Sequence, residues 1–224
     1  MLSKTKTYYL WIFVSVVFLG LLLPFLVQQG MLVDGISNAA ISSNLSNGIG
    51  APFEPHYTQT VWPHFYEHPP LVFILQSYFF DVLGDGFFAE KIYGLVTAMT
   101  TAAGIVLCWK QATSESNYGW LPVLIWIITP LVFWSFNNNL LENTVSMFTI
   151  FSVWAGLKAL NKNQLIWLFI SAIFVVLAFL SKGLVGLFPL AIPVIYGVSK
   201  NGKTKIKSFS YSFLMVSFFS FFLG

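Results

Sequence analysis

Asp34, Glu67 and all three histidines of the chain, His56, His64 and His68, fall within one polar stretch from Gln28 to Pro70. The chain is 57% hydrophobic and 8% charged, so it has little general use for such side chains, and their gathering points to chemistry. A carboxylate such as Asp34 can act as general base on a hydroxyl. Glu67 and the histidines carry oxygen and nitrogen donors suited to a divalent cation. Lys91 and Lys182 offer compact positive charges suited to phosphate oxygens.

Each of these residues also has a plainer use. Asp34 precedes a helical pattern and suits its N-cap; a capping carboxylate can still turn its free oxygen into a cleft. Adjacent side chains such as Glu67 and His68 rarely chelate one ion well, and the spacings match no standard zinc pattern. A loop that hydrogen-bonds itself together therefore stands beside the metal reading. Lys182 closes an apolar run and can snorkel to lipid headgroups. Lys91 can do the same, with Glu90 and Asp85 as partners. Glu142, beside Asn137-Asn138-Asn139, reads as an interfacial acid or as a further member of the site. Aromatic residues crowd the ends of the apolar runs, as interface belts do, and are no evidence of a sugar platform.

The elements that position these residues belong to a membrane. A soluble domain carries about 25% charged residues; this chain cannot cover itself with polar surface, so its solvent is largely lipid. The net charge of +3 is no nucleic-acid signal, because arginine is absent and the lysines sit at the ends of apolar segments. Cys108 is the single cysteine and lies in an apolar run, which excludes a disulfide framework within one chain and reads as a buried, inert thiol. The first apolar run, Tyr8 to Val27, exceeds the ~7–15 residues of a signal-peptide core and lacks a small-x-small cleavage site, so it reads as a retained span.

The chain reads as an all-α polytopic membrane protein in one transmembrane domain, 1–224. About seven spans are expected, near 8–27, 87–109, 120–136, 141–160, 165–181, 184–198 and 208–224. The loop 28–86 lies between the first two. In it, Ile36, Ala40, Ile41 and Leu45 are spaced for a short amphipathic helix at the interface, ended by Asn47-Gly48. Ile49 to Trp62 reads as irregular. Pro69-Pro70 starts a helix, Leu71 to Leu83, since proline is tolerated in a first turn. It is too short to span and should dip into the membrane or lie along it. Gly84-Asp85-Gly86 breaks it, and Ser181-Lys182-Gly183 turns the chain between two later spans.

Lys4 and Lys6 place the N-terminus in the cytoplasm. In the resulting topology only Lys91 and Lys182, of the eleven lysines, face outward, and only Glu115, of the eight acids, faces inward. The rule accounts for the lysines; acids carry little weight in it, so the outer acids need another reason. The chain ends inside an apolar run, which leads us to expect a piece of a longer protein.

In their order, LVDGISNAAISSNLSNGIG, FYEHPPLVFILQSYFF, GDGFFAEKIYG and FLSKGLVGLFPLAIP resemble the N-terminal part of the polyprenol-phosphate-dependent glycosyltransferases of the GT-C fold. They are most similar to the bacterial relatives of the protein O-mannosyltransferases and of the lipid A aminoarabinose transferase. FYEHPPL is the more specific motif; the Ser-Lys-Gly turn counts only in this order.

The resemblance implies an inverting transferase at the outer face of the cell (inner) membrane. It would move a hexosyl or pentosyl group from a polyprenyl-phosphate-linked donor to a hydroxyl on a lipid, glycan or protein. It implies Asp34 as base, Glu67 as a ligand of a divalent metal cation, and His68, Lys91 and Lys182 toward the donor phosphate. Many members carry Asp-Glu where this chain has Asp34-Gly35, so a second acid is missing. Members also run to roughly twice this length, which leaves open that the chain is an inactive, truncated homologue. A lipid or sugar transporter component is the other non-enzymatic alternative. Transport calls for ionisable residues at mid-membrane depth; here they lie at the ends of spans, which favours surface chemistry.

Overall fold

The computed structural model describes residues 4–113, 116–162, 165–198 and 203–223. Glu115 and Lys200, each assigned a side by the charge pattern, lie outside the described residues. Helix dominates throughout, and the fold is that of an all-α polytopic membrane protein.

The first helix, α1 (Lys4–Leu22), is extended by a 3-10 turn at Leu23–Leu26. The polar loop then folds into α2 (Val33–Ser46), a two-residue antiparallel ladder of β1 (Gly50–Ala51) and β2 (Glu54–Pro55), and α3 (Leu71–Leu83). The ladder corrects the expectation of a wholly irregular segment. Gly50, at φ +88°, turns into it where a Cβ would meet the His56 amide nitrogen at 2.9 Å. α3 begins after Pro70 and stops at Gly84, whose φ of +78° only glycine adopts readily. At 13 residues α3 extends about 20 Å, short of the ~30 Å hydrocarbon layer. It packs between α2 and the long helix α4 (Phe88–Ala112). Ile41, Phe65, Val72, Phe73, Tyr93 and Leu141 form the apolar cluster that holds the loop onto the bundle.

The expected span 120–136 is instead two helices, α5 (Trp120–Ile128) and α6 (Pro130–Asn137), bent by 72° at Thr129. Pro130 is the cause: it disfavours helical dihedrals at the residue before it, and Thr129 is extended (φ −66°, ψ 119°). The remaining helices are α7 (Leu141–Lys162), α8 (Leu165–Lys182), a 3-10 stretch Gly183–Ala191, α9 (Ile192–Val198) and α10 (Lys203–Leu223). The chain reverses at Gly183 (φ +69°), so that a Cβ on Gly186 would fall 2.3 Å from the Ala178 carbonyl carbon.

Among the described residues three helical runs are long and apolar enough to cross a membrane, Thr5–Leu26, Phe88–Ala112 and Leu165–Val198, or four if the bent α5–α6 pair counts as one span. Part of the difference from seven is that Leu165–Val198 counts once although the chain reverses within it at Gly183, and part has a physical reason in α7. It has the length of a span, at 22 residues, but lies between α4 and α8 and spends its polar side chains on neighbours. Asn143 pairs with Ser135, Thr144 with Tyr93, and Ser152 with Ser171. A helix surrounded by protein has no need of an apolar surface. Ala155, Ala159 and Ala172, all fully buried, let α7 and α8 approach closely.

Candidate functional site

Hydrogen bonds from the start of α2, from α3 and from α4 meet at the turn between α6 and α7, Asn137-Asn138-Asn139. Each asparagine holds a different element. The Asn137 carbonyl accepts from Lys91 Nζ at 3.1 Å. Asn138 Oδ1 accepts from the Leu32 amide at 2.7 Å, at the start of α2. Asn139 Nδ2 donates to the Gly35 carbonyl at 3.2 Å. Asn139 takes left-handed dihedrals (φ +51°), which asparagine tolerates better than most residues.

Around Asn139 the network is uncharged and closed. Gln76 Nε2 donates to Asn139 Oδ1 at 2.7 Å, and Gln76 Oε1 accepts from Asn139 at 3.3 Å and from Ser42 Oγ at 2.9 Å. Asn38 Nδ2 donates to the Asn139 carbonyl at 3.2 Å. These side chains are buried, and partners of this kind are what buried polar atoms require. The network also corrects the expected face of α2. The helix buries Gly35, Asn38, Ile41 and Ser42, while Ile36 is exposed. Hydrogen-bonding partners chose the face together with Ile41, the expected apolar residue that is fully buried.

Asp34 is exposed in the first turn of α2 and does not cap it; Leu32 holds the N-cap position. The Asp34 carboxylate makes no hydrogen bond or ion pair among the described residues. Its charge suits a helix N-terminus. Lys91 is buried, and its partners are the carbonyls of Asn137 and, at 3.5 Å, Gly30. Neither Glu90 nor Asp85 lies within ion-pair distance of it, contrary to expectation. Asp85 instead accepts from Ser43 at 2.7 Å and from Asn47 at 3.1 Å. The Ser43 hydroxyl, then the Asn47 amide, hold its carboxyl below the ordinary aspartate value.

Lys182, at the end of α8, forms an ion pair with Glu142 in the first turn of α7. Glu142 also lines a cavity of about 320 Å³ at the α5–α6 bend, with Trp126, Leu131, Trp134, Ser135 and Asn143. A second cavity of about 210 Å³ adjoins it through Trp126 and Ser146 and reaches Phe188. Both have mainly apolar walls, with Glu142 as the charged residue in the lining and Ser146 shared between them.

Glu67 and His68 stay apart from these contacts. Glu67 is exposed, and the His68 ring lies 6.2 Å from Phe65. His56 Nδ1 lies 2.8 Å from the Pro63 carbonyl oxygen, and the His64 ring stacks on Tyr66. Among the described residues no three His, Cys, Asp or Glu side chains come together to hold a metal ion. Glu67 thus has no second and third ligand of these types beside it among the described residues. The residues missed from the sequence are Gln76, Asn138 and Asn139. Three consecutive asparagines beside an apolar helix were the available signal, since that many amides need partners.

These features define an all-α membrane protein with a buried polar network at one turn of its helical bundle. The dolichyl-phosphate-mannose-protein mannosyltransferase family profile matches residues 67–223, and the chain belongs to this family of GT-C membrane glycosyltransferases. The matched stretch contains Lys91, Glu142 and Lys182; Asp34 precedes it. Comparisons with curated proteins and with solved structures gave no match.

Proposed function

We propose that the chain transfers a sugar from a polyprenyl phosphate to a hydroxyl on a lipid, glycan or protein, at the outer face of the cell membrane and with inversion at the anomeric carbon. Asp34 takes the proton of the acceptor hydroxyl. The hydroxyl oxygen bonds to the anomeric carbon as the bond from that carbon to the phosphate oxygen breaks. The bonding pair leaves with the polyprenyl phosphate, and Lys182 balances the charge that develops there. Phosphate is already a fair leaving group, so most of the task is to position two substrates. The adjoining cavities, mainly apolar with Glu142, the partner of Lys182, in the lining, suit an isoprenoid chain carrying a phosphate.

One observation carries the reading. The segment Asn137–Glu142 touches, within six residues, the helix that bears Asp34, the buried Lys91 and the Lys182 side chain. The unpartnered, exposed carboxylate of Asp34 supports its role as base. The test is a transfer assay in lipid with a labelled polyprenyl phosphosugar, following release of polyprenyl phosphate by wild type and by Asp34→Asn. Release that requires Asp34 supports the reading, and release that persists in the variant ends it.

A further inference from the structure

We infer that Asn138 and Asn139 are positioning residues for Asp34: they clamp the backbone on both sides of that carboxylate, and their amides set where it stands. The inference rests on the reading of Asp34 as base. On the N-terminal side, Asn138 Oδ1 holds the Leu32 amide at 2.7 Å. On the C-terminal side, Asn139 Nδ2 holds the Gly35 carbonyl at 3.2 Å. The clamp is itself anchored. Asn138 Nδ2 donates to the Trp134 carbonyl at 2.8 Å, and the Asn139 amide is paired with Gln76 on α3.

Asp34 has no side-chain partner among the described residues, so its backbone is what fixes it there. A base held this way depends on the placement of residues 32–35, and a displacement of about 1 Å can cost on the order of a hundredfold in rate. The clamp is made of neutral amides on a neighbouring turn. It also ties the base to the turn that leads into Glu142, so that the acceptor side and the phosphate side of the site share one rigid reference.

The test uses Asn139→Gly, which keeps the left-handed backbone and removes the amide, and Asn138→Ala, which removes the acceptor for Leu32. Hydrogen exchange of the full chain in lipid nanodiscs is followed for residues 33–42, with α7 and α8 as internal controls. Exchange in α2 is expected to accelerate by about tenfold or more, with the controls unchanged. In the transfer assay kcat should fall while the KM for the donor stays constant, because Lys182 is untouched. Unchanged exchange in α2 overturns the clamp whatever the assay gives. Faster exchange with wild-type kcat overturns the positioning role, as does an equal loss of donor affinity. Asp34→Asn in the same assay separates the two ideas. If it retains transfer, the base assignment fails while exchange still judges the clamp.

Discussion

A Cβ added to Gly35 would lie 2.0 Å from the carbonyl oxygen of Asn138. That oxygen is backbone in the α6–α7 turn and cannot swing aside as a side chain would. Residue 35 is thus confined to glycine for as long as α2 stays docked. This accounts for Asp34-Gly35 where the resembling enzymes often carry two acids: the space for a second side chain is filled by main chain. Gly35→Ala is expected to lift the start of α2 and destabilise the fold by about 1–3 kcal/mol or more, as overpacking does. Thermal unfolding in detergent reads the effect, and an unchanged midpoint would show that α2 is not docked as described.

Asp34→Asn separates chemistry from folding. Because Leu32, not Asp34, occupies the N-cap, the carboxylate supports the helix only through the dipole, by about 0.3–1 kcal/mol. Stability should therefore change little while transfer is lost. The pair of measurements is melting temperature and polyprenyl phosphate release. A large drop in melting temperature would assign Asp34 a structural role instead.

Local punctuation was legible in the sequence, and long-range polar pairing was not. Pro70 and Gly84 bound α3 where the residues say it should begin and end, and Asn47-Gly48 closes α2 for the same local reason. Pro130 carried an equally local signal for the break at Thr129, which hydropathy alone overrides. The partners of Asn139 lie more than sixty positions away in Gln76 and about a hundred away in Gly35 and Asn38, and no periodicity encodes them. For the same reason the buried face of α2 was read only in part: Ile41 is buried as expected, but Asn38 and Ser42 count as surface until their partners are known.

Lys182 and Glu142 should behave differently as a pair than as site residues. Both side chains are partly exposed, 24% and 49%, and such a pair contributes only about 0–1 kcal/mol to stability. Lys182→Gln should leave the fold intact and weaken binding of polyprenyl phosphate. Glu142→Gln removes the internal competitor for the lysine and should tighten it. Direct binding of polyprenyl phosphate in nanodiscs measures both. Equal affinity in wild type and Lys182→Gln would remove the lysine from the phosphate site.

Asp85 gives α2 an acid-sensitive end. Its carboxylate accepts from the Ser43 hydroxyl and from the Asn47 amide, one in the last turn of α2 and one at its C-cap. These bonds hold its carboxyl below the ordinary aspartate value. The unfolded chain then binds the proton more readily than the folded one, so stability rises with pH across the interval between the two values. The contribution is complete above the unfolded value and disappears as pH falls through the lower, folded value. Acidification into that interval should fray residues 43–47 from Asp85 while the buried amides around Asn139, which do not titrate, keep the first turn of α2 in place. Hydrogen exchange of α2 at a series of acidic pH values, corrected for intrinsic rates, reads the two ends separately. Asp85→Asn should abolish the pH dependence of the C-terminal end; the same profile in wild type and variant would show that the carboxylate contributes nothing there.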